Sequence, residues 1–203
     1  TELNLLTKIR SVLENGFPLE DISYTESELK LLSGFQLLTL KPMVIVLNIG
    51  ESNSNDGVNI EESIRKDFDI EIGTICGKLE MDLIGTSLDE EKQLREVLGL
   101  SQESGLHRMV NLCFKSLELI SFLTVGEDEV RAWPIKKGTV SAVAAGKIHS
   151  DIQRGFIRAE VISYENLEIC KTIAEVRRKG LLRVEGKEYV VQDGDIMHVL
   201  FNV

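Results

Sequence analysis

Residues 139–162 have the sequence TVSAVAAGKIHSDIQRGFIRAEVI, and their pattern decides the fold of the C-terminal part of the chain. The first half repeats apolar residues at i, i+3, i+4 and i+8, which predicts a helix with one apolar face and Thr139 as its N-cap. The residues of that face are Val140, Val143, Ala144 and Ile148. The second half alternates from Phe156, which predicts a strand. The residues expected on one face of this strand are Ile157, Ala159 and Val161.

Residues 189–203, YVVQDGDIMHVLFNV, complete the C-terminal pattern. Their alternation around an Asp-Gly-Asp turn predicts a hairpin, with Asp193 and Asp195 as turn formers rather than an acid/base pair. Two further strands are predicted at 120–125 and 130–136. A helix laid across these strands indicates a small sheet domain.

The N-terminal half is predicted to combine helices with two strands of a parallel sheet. Capping boxes at Thr25–Glu28 and Ser87–Glu90 predict two helix starts. The apolar run 43–47 predicts a strand buried on both faces, and a second strand is predicted at 70–75. Polar loops are expected after both strands, where nucleotides bind in such folds. The residues expected to face inward from a helix opened by Ser104 are Leu106, Val110, Cys113 and Leu117.

The composition indicates a folded protein of one or two domains with an uneven charge distribution. The 203 residues are 43% hydrophobic and carry a formal net charge of −10, which argues against non-specific coating of nucleic acid. The first 125 residues contain 21 acidic and 11 basic side chains, whereas the remainder contains 12 of each. The neutral C-terminal part is therefore expected to approach an anionic partner more readily.

No stretch of the sequence is long and apolar enough to span a bilayer, and no signal segment is recognised, so a cytoplasmic protein without a membrane partner is expected. The chain begins within a helical pattern, which suggests a fragment. Cys76, Cys113 and Cys170 are widely spaced and are interpreted as reduced thiols rather than a disulfide framework or a zinc site.

Common catalytic motifs are missing from the sequence. No GxxxxGK[ST] phosphate loop, GxSxG elbow or HExxH zinc motif occurs, and no catalytic residue or metal site is predicted. The basic residues of the C-terminal part are either a solvated surface or contacts to phosphates, with one tryptophan available to stack on a base. The candidates are Arg131, Trp133, Lys136, Lys137, Lys147, Arg154 and Arg158.

Three segments of the chain resemble a known family. AAGKIHSDIQRGFIRAEVI and the terminal GKEYVVQDGDIMHVLFNV are similar to the C-terminal TGS domain of the YchF-type Obg-like ATPases, a branch of the P-loop GTPases. Upstream, LSGFQLLTLKPMVIVLNIGE resembles the return from that family's helical arm into its nucleotide-binding domain. The resemblance covers essentially the whole chain and is densest in its last part.

The resemblance implies an α/β plus α+β fold: a helical, coiled-coil-like arm at 1–40, the end of a P-loop G domain with an incomplete parallel sheet at 41–118, and a ubiquitin-like β-grasp TGS domain at 119–203. The family's base-recognition motif NxxE matches Asn48–Ile49–Gly50–Glu51. Loss of the aspartate of NKxD removes the paired acceptor for guanine, so the family is expected to accept ATP. Cys76, Gly77 and Lys78 occupy the position of the family's Ser-Ala-Lys loop. Cys76 and Gly77 differ from the family's Ser and Ala, whereas Lys78 matches its Lys.

The functional expectations follow from this resemblance. The complete parent is expected to hydrolyse ATP or GTP with Mg²⁺, whereas this chain is expected to need no cofactor, to bind nucleotide weakly at most, and to be inactive alone because the Walker A and switch motifs are missing. A ribosome or RNA is the expected partner of the TGS module, and a monomer is expected. One alternative is a regulatory module that binds a protein or small ligand through the β-grasp sheet. A redox role of the cysteines, suggested by the family's link to oxidative stress, is another.

Overall fold

The computed structural model describes residues 2–19, 22–51, 54–68, 70–98, 100–126 and 128–202. Their contacts divide the chain into two compact units, Thr1–Ser116 and Leu117–Val203. The finer boundaries after residues 40 and 118 stay predictions. None of the described helices combines the length and apolar character needed to cross a membrane.

The first unit combines a helical pair with a small α/β layer. Its helices and strands are α1 (Glu2–Glu14), α2 (Glu26–Leu32), β1 (Val44–Asn48), α3 (Ser54–Asp67), β2 (Glu71–Ile75), α4 (Gly77–Leu83), α5 (Leu88–Val97) and α6 (Gly105–Ser116). Strands β1 and β2 pair in parallel, from Val44 opposite Glu71 to Asn48 opposite Ile75. The predicted parallel strands are therefore present.

Both predicted capping boxes are confirmed. At the start of α2, the Glu28 backbone N–H donates to Thr25 Oγ1, and the Thr25 N–H donates to the Glu28 carboxylate at 2.8 Å. Ser87 and Glu90 make the same reciprocal contacts at the start of α5. These contacts depend only on residues three positions apart, so the local sequence suffices to predict them.

Two burial predictions for the first unit are wrong. Strand β1 is not buried on both faces, since Val46 is 47% exposed and the only strand paired with β1 among the described residues is β2. The face of α6 that packs inward carries Met109 and Leu112 rather than the four predicted residues. The reason lies in Gly73 of β2: its missing side chain lets Leu112 lie where a Cβ would collide with it. The predicted inward residues, which are exposed, are Leu106, Val110, Cys113 and Leu117.

The second unit is a five-stranded sheet with helices on both faces. Its elements are β3 (Leu119–Val125), β4 (Val130–Lys136), α7 (Ser141–Ile148), α8 (Ser150–Arg154), β5 (Phe156–Ser163), α9 (Tyr164–Cys170), α10 (Ile173–Arg178), β6 (Arg183–Glu185) and β7 (Asp195–Phe201). The strand order is β4-β3-β7-β5-β6, and among the described residues only the β3–β7 pair is parallel. One face packs its core against α7, with Phe122, Ala144 and Val161 fully buried.

The predicted C-terminal hairpin is wrong. Strand β7 lies between β3 and β5, so both of its edges are occupied by strands distant in sequence. The preceding run instead contacts the start of α7: Ser141 N–H donates to Tyr189 O at 2.8 Å, and Val191 N–H donates to Thr139 O at 3.0 Å. The predicted N-cap is also wrong, because Val140 takes that position and the Thr139 hydroxyl donates to the Lys136 carbonyl at 2.6 Å.

The predicted strand after α7 is present, but its first core residue is wrong. Ala159 and Val161 are buried as expected, whereas Ile157 is 58% exposed and Phe156 is buried instead. The cause is a bulge between Phe156 and Arg158 in the pairing with β7, which moves the start of the strand by one residue.

Gly155 precedes this bulge and admits no side chain. A Cβ there would collide with the carbonyl oxygen of Asn202, whose N–H donates to Gly155 O at 2.9 Å. We expect Gly155→Ala to lower the free energy of unfolding of the second unit by about 1–3 kcal/mol, since backbone has to move. Chemical denaturation measures this loss. Gly186→Ala, where a Cβ meets open space, is the control, and equal losses for the two variants would contradict the argument.

Candidate functional site

The ends of the two parallel strands meet at the predicted base-reading residues. Asn48 ends β1, and its side-chain Oδ1 accepts a hydrogen bond at 3.1 Å from the backbone N–H of Gly77, which opens α4. Ile49 N–H donates to Ile75 O at 2.9 Å and extends the strand pairing by one step. The structure therefore brings together two segments that lie 29 positions apart in sequence.

The segment after β2 starts a helix rather than the predicted loop. Cys76 is the N-cap of α4, and its side chain makes no capping hydrogen bond. Lys78 in the first turn donates from Nζ to Asp82 Oδ1 at 2.6 Å, and this contact raises the pKa of Lys78, with a further contribution from Glu51. Asn48, Glu51 and Lys78 are all exposed, so a ligand could reach them.

A buried ion pair lies behind this edge of the sheet. Arg95 of α5 is 2% exposed and donates from Nη2 to Glu80 Oε2 at 2.7 Å and from Nε to Glu91 Oε1 at 2.8 Å. Glu80 also accepts from the Gly105 N–H at 2.9 Å. The hydrogen bonds from Arg95 and then from Gly105 hold the pKa of Glu80 below its ordinary value. One carboxylate thus joins α4, α5 and α6 directly after the candidate base site.

Sequence reasoning missed this ion pair. The Glu91–Arg95 spacing of four residues is a recognisable helical pair, but it is equally typical of an exposed one. Glu80 lies 15 positions from Arg95, across the α4–α5 connection, and no periodic pattern links them. Glu80 and Arg95 come into contact only because α4, α5 and α6 pack together.

A cleft of about 720 Å³ runs along the outer edge of β2, between α3 and α6. Arg65 of α3 donates to the Ile72 carbonyl at 2.6 Å, and Arg108 of α6 donates to the Thr74 carbonyl at 3.3 Å. These guanidinium groups satisfy backbone carbonyls that an edge strand would otherwise expose to pairing. The edge of β2 is therefore covered by side chains within this cleft. Of the candidate base residues, Ile49 and Cys76 line the cleft, whereas Asn48, Glu51, Gly77 and Lys78 lie outside it.

The predicted Mg²⁺ of the parent has no fitting donor set here. Across the described part of the chain, no group of three or more His, Cys, Asp or Glu side chains is placed to hold a metal ion. The described residues therefore do not assemble the oxygen ligands that Mg²⁺ requires.

In the second unit, Trp133 is already engaged by its neighbours. The Arg131 guanidinium lies 4.2 Å from the centre of its ring, and the Phe122 ring is stacked against it at 6.5 Å. Its indole N–H donates to Thr124 Oγ1 at 2.9 Å. A base that stacked on Trp133 would have to displace Arg131.

The other basic candidates are spread over several elements. They are Lys136 at the end of β4, Lys137 after it, Lys147 on α7, Arg154 on α8 and Arg158 on β5. Arg154 pairs with Asp151, and Lys136 Nζ donates to the Leu117 carbonyl at 2.7 Å. Lys136 pairs with Leu119, and Arg158 pairs with Leu200, which places them at opposite ends of the sheet. The structure does not gather them into one patch.

Comparison with known proteins shows similarity to YchF-type proteins. Residues 119–202 match the family YchF-GTPase_C, described as a protein of unknown function (DUF933). Over its whole length the chain is 38% identical to the ribosome-binding ATPase YchF of Bacillus subtilis and 39% identical to that of Mycoplasma genitalium. The chain matches the C-terminal part of YchF-type proteins. It spans 56% of each of these YchF relatives, and the predicted resemblance is confirmed.

Solved structures support the same relationship. The structure of the Schizosaccharomyces pombe YchF GTPase matches with a TM-score of 0.79 at 28% identity, covering 97% of this chain and 53% of that one. A GTP binding protein from Pyrococcus horikoshii OT3 matches with a TM-score of 0.54 at 19% identity, 95% of this chain and 55% of that one, and supports the fold alone. The mixed α/β fold is therefore a YchF-like one.

Proposed function

We propose that this chain is the base-reading and ribosome-docking part of a YchF-type nucleotide-binding protein. The observation that carries the proposal is the match of the whole chain to relatives named ribosome-binding ATPases. The first unit would contribute the edge that contacts a nucleotide base, and the second unit would contribute ribosome or RNA binding. A ribosomal partner would also place the protein in the cytoplasm.

The domain assignment belongs to this proposal. The helical pair would be the end of the arm at 1–40, followed by the last part of a G domain at 41–118. The sheet order β4-β3-β7-β5-β6, with one central parallel pair and α7 packed across one face, supports a β-grasp TGS domain at 119–203.

The hydrogen bond between Asn48 and Gly77 supports a base-reading role. Because Oδ1 of Asn48 already accepts from Gly77, its amide NH₂ is the group left to face a ligand. An NH₂ group donates to a ring-nitrogen acceptor such as N7, which adenine and guanine share. Glu51 is an acceptor that an exocyclic amino group would suit. Ile49, Cys76 and Lys78 would line the same edge.

Nucleotide binding by the isolated chain is expected to be weak, and turnover is expected to be absent. Positioning of phosphates and Mg²⁺ supplies most of the catalysis in phosphoryl transfer, and the motifs that provide it do not occur in this sequence. Titration with fluorescent ATP and GTP analogues and a phosphate-release assay measure the two properties. Hydrolysis that survives rigorous purification and disappears in Asn48→Ala would contradict this expectation.

Ribosome binding is tested by co-sedimentation of the 203-residue chain with purified bacterial ribosomes. Reversing Lys136, Lys137 and Arg158 to Glu is expected to lower the affinity of the chain for the ribosome. The affinity should also depend less steeply on salt concentration, because fewer phosphate contacts release fewer counterions. The matched control reverses three exposed lysines of the first unit, Lys30, Lys41 and Lys66. Failure of the unmodified chain to co-sediment would count against ribosome docking itself, and an unchanged triple variant would count against these residues.

A further inference from the structure

The second face of the five-stranded sheet is covered at one end only. Helices α9 and α10 pack over Ile162 of β5 and Ile196 of β7, which are 5% and 6% exposed. Towards the other end of the same strands, the face carries Glu160 opposite His198, and then Arg158 opposite Leu200. The described helices leave Arg158 and His198 exposed, so this end of the sheet is accessible.

A pocket of about 190 Å³ opens where the covered part meets the accessible part. Its walls are apolar side chains from β3, β5, β7, α10 and the segment before β6. They include Val125, Ile162, Ile173, Leu182 and Ile196. Ligand sites for nucleotides and drug-sized molecules usually enclose ~300–1,000 Å³, so this pocket has room for about one bulky side chain.

The rim of the pocket carries one ion pair, and Arg158 lies just beyond it. Glu160 and Arg177 form an ion pair of 3.0 Å across its edge, and His198 completes the edge on β7. Arg158 lies two residues along β5 from Glu160, on the same face of the strand. With Glu160 paired to Arg177, the guanidinium of Arg158 contributes a local positive charge beside the pocket. An acidic side chain beside an apolar one would complement this rim.

We infer that this pocket docks a protein segment through one bulky aliphatic or aromatic side chain flanked by an aspartate or glutamate. The anchor fills the space between Ile162, Ile173 and Ile196, and the acidic neighbour faces Arg158. Exposed apolar surface at the mouth of the pocket favours this occupant. Val125 and Ile173 are each 40% exposed, and an apolar anchor would bury them. The inference concerns a protein partner. It shares Arg158 with the ribosome-docking proposal, so a change at Ile173, which lines the pocket and is not among the ribosome candidates, distinguishes the two.

RNA fits this surface less well than a peptide. The tryptophan of this unit lies on the other face of the sheet, stacked on Phe122, which leaves the His198 imidazole as the ring that this end of β5 and β7 offers to a base. The apolar walls would offer no partner to phosphates. A protein segment therefore uses both the apolar walls and the rim charges.

The test uses the full 203-residue chain, immobilised, to select from a displayed library of random peptides. Enriched peptides are then synthesised and titrated calorimetrically against the unmodified chain and single variants. Ile173→Glu places a carboxylate in the mouth of the pocket, and since Ile173 is the first residue of α10, a negative charge there suits the helix start. Ile169→Glu on α9 is the matched control, because Ile169 is 72% exposed and lies outside the pocket.

We expect the enriched peptides to share a bulky apolar residue next to an acidic one and to bind the Ile169→Glu control normally. Ile173→Glu should weaken binding at least about tenfold, because the anchor loses its burial and a carboxylate loses water. Arg158→Glu should weaken it in a salt-dependent manner. Should Ile173→Glu fail the circular dichroism check for folding, Val125→Glu alters the same mouth from β3.

Three results would overturn the inference. Enriched peptides that share no apolar residue would contradict the proposed anchor. Equal binding by the control and by the mouth variants would place the peptide elsewhere on the chain. Retention of labelled single-stranded RNA that is lost in Arg158→Glu, with no peptide enriched, would assign the surface to nucleic acid.

Discussion

Replacing Arg95 by Met is expected to lower the free energy of unfolding of the first unit by about 3–5 kcal/mol. The Arg95 side chain is 2% exposed and pairs with Glu80 and Glu91, which are 18% and 27% exposed, so its removal leaves two largely buried carboxylates without their cation. Methionine retains much of the volume, which limits the loss to charge and hydrogen bonds. Urea unfolding followed by hydrogen exchange in α4–α6 measures the effect, and the transition of the second unit should not move.

The matched control for this prediction is Arg10→Met. Arg10 also donates to a glutamate, Glu14, at 2.7 Å, but both side chains are mostly exposed. Exposed ion pairs contribute ~0.2–1 kcal/mol, so this variant should change stability little. Similar losses in the free energy of unfolding for the two variants would show that burial does not determine how much the Arg95 ion pair stabilises the first unit.

The Arg95–Glu80 contact also predicts a pH dependence. The pKa of Glu80 is lowered in the folded chain, so its stabilisation is complete above the unfolded pKa of about 4.3 and is lost as pH falls through the lower folded value. Arg95→Met should reduce this acid sensitivity. The measurement is the free energy of unfolding of the unmodified chain and of Arg95→Met, from neutral pH down to the onset of acid unfolding. A parallel loss in the two proteins would contradict the assignment of this acid sensitivity to Glu80.

Replacing Asp195 by Ala is expected to lower the free energy of unfolding of the second unit by about 3 kcal/mol. Its carboxylate is 1% exposed and accepts from Arg183 at 3.1 Å, from the Tyr189 hydroxyl at 2.7 Å and from the Gln192 N–H at 2.9 Å. Alanine leaves these donors without their acceptor. Thermal unfolding monitored by near-ultraviolet circular dichroism measures the loss.

Asp193→Ala provides the comparison within the same turn. Asp193 is exposed, and its carboxylate accepts from the Ser121 N–H at 2.8 Å. A loss near 1 kcal/mol is expected for a single such contact. If Asp193→Ala costs as much as Asp195→Ala, the three-donor network is not what stabilises the turn.

The local pattern does not distinguish the buried aspartate of this turn from the exposed one. The Asp-Gly-Asp pattern predicts that Asp193 and Asp195 both form the turn, and both do contact it. Only Asp195, however, is buried and joined to Arg183 twelve positions away. The sequence carries the same Asp-Gly-Asp signal for both, because a turn pattern has no information on which side chain faces the core.

The candidate base site was partly predictable. Its residues followed from a family resemblance at Asn48–Glu51 and at Cys76–Lys78, and the structure joins the two segments through Asn48 and Gly77. The helix that begins at Gly77 and the Glu80 anchor behind it were not predicted. They depend on α5 and α6 packing against α4, which no local pattern encodes.

The sequence by itself determined the local elements of this protein: both capping boxes, the strands around Ile45, Ile72 and Phe122, and the amphipathic helix followed by a strand in residues 139–162. Each depends on residues within about one turn of helix or a few positions of a strand, so short-range hydrogen bonding and hydrophobic periodicity suffice. Only the tertiary structure decided that β7 lies between β3 and β5 instead of in a hairpin, that α6 faces inward through Leu112, and that Arg95 and Asp195 are buried. The physical reason is that strand pairing and helix packing choose among faces by long-range contacts, whose energies no local pattern contains.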